Sequence, residues 1–227
     1  MGKKAELVGS HFPTIYLTVM SLLLGIALSQ LVPIIIKYLE IAEYPFSDIH
    51  VVPLLLMLLI IFTVWHHYAI GIFFLRWFPN IIDTIIPFVV SVGQFILISY
   101  LVIDTSVSDI DIVSWTKGFA IFLILGSPGY FAAAWRIDPD SFTNIMSRID
   151  AVAHCNNVRK YYNLSGIFVL IQGLFALWIN IFQFEPLLWV SLILFLGHLI
   201  SSEYFLIQTI KPHFLKAIDK DDENNNE

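Results

Sequence analysis

Charge is the scarcest property of this sequence. Only 13% of its 227 residues are Asp, Glu, Lys or Arg, about half the share of an ordinary soluble domain (about 25%). Hydrophobic residues make up 58% and mean hydropathy is +0.79. A chain this apolar cannot cover itself with polar surface in water, so lipid is its expected solvent. Cysteine is nearly missing too. A single one, Cys155, excludes an internal disulfide and any multi-cysteine metal site, and reads as a small buried or interfacial residue. The net charge of −6 argues against a nucleic-acid partner.

Catalytic motifs are absent as well. There is no phosphate-binding loop, no HExxH and no Ser-His-Asp arrangement of known spacing. The period-2 alternation of a membrane β-barrel is missing. No long internal repeat is present. A removable signal peptide is not expected, because the first apolar run continues through Val32-Pro33-Ile34-Ile35-Ile36, well beyond a signal core. Gly2 is followed by Glu6 where a myristoylation motif needs Ser or Thr.

What remains is an all-α integral membrane protein. A hydrocarbon core of about 30 Å takes roughly 20 apolar residues as a helix, and six stretches qualify: 12–36, 51–75, 84–103, 112–135, 161–184 and 186–210. Residues 1–210 thus form one six-helix domain. The tail 211–227 is expected to be disordered, since its last part, Asp219–Glu227, is acidic and asparagine-rich and has nothing apolar to bury. With the N-terminus inside, Lys3, Lys4, Arg76, Arg136, Arg148, Arg159, Lys160, Lys211, Lys216 and Lys220 collect on the cytoplasmic side, against Lys37 and Lys117 outside. That ten-to-two bias puts both termini in the cytoplasm. The expected location is the cytoplasmic membrane of a bacterium or archaeon.

Between helices four and five, Phe142, Ile145, Met146, Ile149, Val152 and Ala153 recur at helical spacing, with Asp140 or Ser141 available as a cap. Two readings follow: an amphipathic helix on the inner membrane surface, or a cytoplasmic extension of helix five.

Helix association in lipid relies on close approach and polar contacts. Thr14, Thr18, Ser21, Gly25 and Ser29 form a small-residue stripe down helix one, which predicts tight packing within the fold or between copies. Gly166, Gly173 and Asn180 repeat the device at spacing seven in helix five. Gly126-Ser127-Pro128-Gly129 lies near the middle of helix four, where Pro128 removes a backbone hydrogen bond and predicts a kink.

Ionisable groups within spans are costly and are functional candidates. They are His66, His67, Asp83, His198 and Glu203. At about 1.5 Å per residue, Glu203 lies roughly 10 Å inside the cytoplasmic end of helix six. Asp83, Pro87, Ser91 and Gln94 share one face of helix three, suited to a water-lined surface. Glu203 points away from His198 on its own helix, and its expected partner is His66 or His67 across the bundle.

The stretch Trp65-His66-His67, Arg76, Asn80 and Pro87-Phe88 resembles helices two and three of the six-helix prokaryotic potassium channels related to lysosomal ones, over about 25 residues. That family carries Phe-Ser-Asp in helix one. Here Phe46-Ser47-Asp48 falls in the outer loop and span 12–36 has no acidic residue, so the resemblance does not imply potassium selectivity.

No constellation requires catalysis, no cofactor is specified and no metal site is expected. The leading expectation is a non-enzymatic membrane module, a sensor, anchor or effector or an oligomeric pore, working as a homo-oligomer with a cytoplasmic protein partner. One alternative is an ion channel or proton-coupled transporter using Glu203 and Asp83. Another is an intramembrane enzyme or haem protein using His66, His67 and His198, since haem takes paired histidines from facing helices.

Overall fold

The computed structural model describes residues 3–75, 81–104, 106, 109–142 and 146–210. Arg76, Asn80, Asn144, Ile145 and the tail 211–227 lie outside the described residues, as do the side chains of Lys3, Lys4, Thr14 and Asp83. The described chain is helical throughout, without a strand. Its six long elements are α1 (Lys3–Ile41), α2 (Val51–Leu75), α3 (Ile81–Ser99), α4 (Ile112–Arg136), α5 (Arg148–Phe182) and α6 (Leu188–Phe205). Short 3₁₀ turns cover Pro139–Phe142 and Glu185–Leu187, and a π turn, Leu206–Ile210, ends the bundle.

Five of the helices are long and apolar enough to cross a membrane; in α3 the described apolar stretch, Ile85–Ser99, is shorter. Large side chains such as Leu125, Ile171, Ile193 and Ile200 stand exposed around the outside, an apolar exterior that needs lipid.

The acidic residues of the loops serve the loops themselves. Asp111 caps α4: the Ser114 hydroxyl and N–H both bond it and hold its carboxyl below the usual carboxylate range. Asp109 Oδ2 accepts from the N–H groups of Asp104 and Ser106, each at 2.9 Å. Between α1 and α2, partial burial raises the Asp48 carboxyl. The backbone and ring hydrogen bonds from His50 outweigh it and hold the group low.

Residues 148–160 are the extension of α5, the second of the two readings, and no separate surface helix is present among the described residues. The cap is Ser147, whose hydroxyl accepts from Asp150 N–H, and neither Asp140 nor Ser141 fills that role. The expected apolar face is also corrected. Phe142 and Met146 are buried, but Ile149 is 84% exposed and Val152 is exposed too. The inward face is Ala151, Cys155, Val158 and Tyr162, spaced four, three and four, and it packs on Ala133, Ala134 and Ile137 at the end of α4. Arg159 ties the corner by donating from Nη2 to the Ile137 carbonyl at 2.5 Å.

α4 and α5 form the most extensive helix pair. A Cβ on Gly166 would meet Phe131 and Tyr130 at 3.0 Å, and one on Gly173 would lie 2.8 Å from Ile124 Cγ1 and 3.0 Å from Ile124 N. Asn180, one heptad further, donates to the Val113 carbonyl at 2.8 Å. The spacing-seven stripe of α5 is thus its contact line with α4. α4 itself runs unbroken through Pro128. The proline leaves the Ile124 carbonyl without its helical donor, and the Ser127 hydroxyl takes that place at 3.0 Å.

The stripe on α1 behaves differently. Thr18, Ser21, Gly25 and Ser29 are all exposed, and nothing lies within 4 Å of a Cβ built on Gly25. Within the fold the stripe meets α2 at Ser21, whose hydroxyl accepts from Trp65 Nε1 at 3.4 Å, while Gly25 has no close neighbour. On α3, Pro87, Ser91 and Gln94 are buried in the protein and do not line a water-filled surface.

Because Ile124 backbone blocks the space beside Gly173, Gly173→Ala is expected to destabilise the protein by about 1–3 kcal/mol, the usual effect of overpacking. Gly25→Ala, with open space around it, should change the unfolding midpoint of the monomer far less. Denaturant unfolding in mild detergent checks both.

Candidate functional site: a histidine–glutamate cluster between α2 and α6

α2 and α6 approach each other where their polar residues lie. His66 and His67 follow one another on α2, so about 100° of helix rotation separates them and they face different neighbours. His66 Nε2 lies against Glu203 Oε1 across on α6. Both side chains are partly exposed, 24% for His66 and 39% for Glu203. The pair sits at the edge of the bundle.

His67 turns inward and is buried. Its Nδ1 lies 2.8 Å from the Thr63 carbonyl one turn back. A carbonyl only accepts, so Nδ1 carries the proton and donates. The ring stacks on His198 of α6 at 6.2 Å between centroids and 6° between planes. Tyr130 of α4 and Tyr161 of α5 flank it at 5.1 and 5.7 Å. The Tyr162 hydroxyl donates to the His67 carbonyl at 3.2 Å. His198 is stacked on Phe168 at 4.2 Å, with its Nε2 at 3.4 Å from the Ser202 hydroxyl. Four helices thus contribute to one aromatic and imidazole cluster.

Beside it lies a cavity of about 130 Å³, bounded by α2 to α6 and reached by Gly126 and Gly129 of α4. A Cβ on either glycine would meet nothing within 4 Å. The glycines flanking Pro128 therefore leave space, whereas those of α5 allow contact.

Of the residues singled out from sequence, the structure brings together His66, His67, His198 and Glu203. Gln94 is buried away from them on α3, and Asp83 belongs to the start of that helix. Sequence reasoning missed Tyr130, Tyr161 and Thr63, whose hydroxyls look ordinary in isolation. It also missed the buried pair Gln172 and Ser191, which joins α5 to α6 through Ser191 Oγ donating to Gln172 Oε1 at 3.1 Å. A polar residue in every third or fourth position of facing apolar helices is the signal that finds such pairs. The π turn that begins three residues after Glu203 has no composition signature at all.

The haem reading finds no support here, because a porphyrin is much larger than the cavity beside the histidines. Among the described residues, no three His, Cys, Asp or Glu side chains are grouped to hold a metal ion. An imidazole against a carboxylate can still exchange protons, and the geometry offers that chemistry most directly.

A double-mutant cycle of His66→Gln and Glu203→Gln is expected to give a coupling of about 1–2 kcal/mol, between values for exposed and buried pairs. Chemical unfolding in detergent at neutral pH measures it, and additive single effects would mean that the two side chains do not pair.

No family model matches the chain, and no curated protein or solved structure matches it either.

Proposed function

We propose that the protein is a non-enzymatic, proton-responsive membrane module with six spans and both termini in the cytoplasm. The observation that carries this reading is the His66–Glu203 contact joining α2 to α6. Protonating Glu203 or deprotonating His66 removes one charge and with it the attraction between the helices. The loosened contact lies three residues before the π turn Leu206–Ile210, and π turns cluster at functional sites. In the orientation favoured by the basic residues, this end faces the cytoplasm, so a change there is available to a cytoplasmic protein partner.

The exposed α1 stripe supports a homo-oligomer. Thr18, Ser21, Gly25 and Ser29 offer a second copy a surface over which backbones approach closely.

A proton-coupled transporter or channel is the second reading. It is favoured by the cavity among five helices that His67, the neighbour of His66, helps to line, and Asp83 at the start of α3 would be its second carrier.

Purified protein in liposomes separates the two. The sensor reading expects a pH-dependent change in labelling of a cysteine placed at Ile207, lost in both Glu203→Gln and His66→Gln, without ion flux. The transporter reading expects proton-dependent flux abolished by Glu203→Gln. If pH changes neither labelling nor flux, or if Glu203→Gln behaves as wild type in both, the proton-responsive function is wrong.

A further inference from the structure

We propose that the cavity between α2 and α4 binds a hydroxyl-bearing aromatic ring, a phenol, either free or as the ring head of a membrane-dissolved lipid. Its size fits one ring. At about 130 Å³ it is close to an engineered apolar cavity of about 150 Å³ that binds benzene. Its walls are apolar and partly aromatic, with Ile60, Val90, Phe122, Leu123, Val169 and Phe195 among them. Such walls favour a flat, uncharged guest over an ion.

The polar residues of that lining are Thr63, His67 and Tyr68 of α2, with Tyr130 and Tyr162. Thr63 and His67 are 3% and 6% exposed, and both border the cavity. Neither Thr63 Oγ1 nor His67 Nε2 has a hydrogen-bond partner in the protein. Buried polar atoms are normally satisfied, so an unmatched pair one helical turn apart at a cavity wall points to a ligand that satisfies them.

The required chemistry follows from the proton positions. His67 Nδ1 donates to the Thr63 carbonyl, so in the neutral ring Nε2 only accepts. A ketone or ether would set acceptor against acceptor there, and a hydrocarbon would leave both atoms unmet. A hydroxyl donates to His67 Nε2 and accepts from the Thr63 hydroxyl, meeting both with one oxygen. Gly126 and Gly129, without neighbours at their Cβ positions, draw the α4 wall back to make the space. Gly129 is exposed, so a guest can enter past it from the surrounding lipid. The site does not depend on the His66–Glu203 pair.

The test is calorimetric titration of the full chain in phosphatidylcholine nanodiscs, with empty nanodiscs subtracted to remove partitioning. The probes are phenol, toluene and a prenylated hydroquinone. Phenol is expected to bind about tenfold tighter than toluene or better, the difference one hydrogen-bonded hydroxyl commonly makes. Thr63→Val, which keeps the shape, should bring the two within about threefold of each other. Gly126→Leu should abolish binding of both while circular dichroism and melting stay as in wild type; if it does not fold, Gly126→Val serves the same purpose. Tighter binding of the prenylated hydroquinone than of phenol assigns the site to a lipid head, and the reverse assigns it to a free ring. Equal affinity for phenol and toluene, no binding of either to the folded wild type, or an undiminished phenol preference in Thr63→Val would overturn the proposal.

Discussion

In a chain whose outer surface is apolar, a polar group has no water to fall back on and must find its partner inside the bundle or at its ends. That constraint accounts for most of the specific contacts seen here. Ser127 takes over the carbonyl that Pro128 leaves open in α4. Ser191 and Gln172 satisfy each other between α5 and α6, and Asn180 reaches the Val113 carbonyl of α4. The loop carboxylates of Asp109 and Asp111 gather the N–H groups at the approach to α4. Hydrophobic burial drives little of this assembly in lipid; close approach at Gly166 and Gly173 and these hydrogen bonds replace it.

The histidine cluster shows what the same constraint does for function. Two neighbouring residues on α2 meet different fates because the helix turns them apart. His66 pairs with Glu203 at the bundle edge. His67 is driven inward, held by the Thr63 carbonyl and stacked against His198. The first is a contact between an imidazole and a carboxylate of two helices. The second is a ring held by a hydrogen bond and by stacking, in a residue that lines a cavity. One helix thereby supplies both the contact on which the proposed proton response rests and a candidate ligand wall.

The fold class was legible because apolar run length is a direct consequence of bilayer thickness. The helices from Val51 and Ile112 begin where the expected spans do. Helix contacts were legible only in part. The seven-residue spacing of Gly166, Gly173 and Asn180 does mark the line facing α4, yet an equally regular stripe on α1 faces outward. Small-residue spacing describes a surface that permits close approach and does not name what approaches. The segment 142–153 shows the opposite failure. Its apolar residues fit a helical period, but Ile149 and Val152 are outside and Ala151 and Cys155 inside, because the end of α4 selects the small side chains. A pairing of Glu203 with a histidine of α2 could be anticipated from depth and helix rotation. Tyr130, Tyr161 and Thr63 could not, since hydroxyls acquire meaning only from what the fold sets beside them.

The central contact of the molecule is that between His66 and Glu203. Solid-state NMR of protein carrying ¹⁵N-histidine and ¹³C-glutamate in liposomes reads that contact directly. A through-space cross-peak between an imidazole nitrogen and a glutamate carboxyl carbon is expected, absent in Glu203→Gln and in His66→Gln. A wild-type spectrum without that cross-peak, or one in which it survives either substitution, would contradict the pairing.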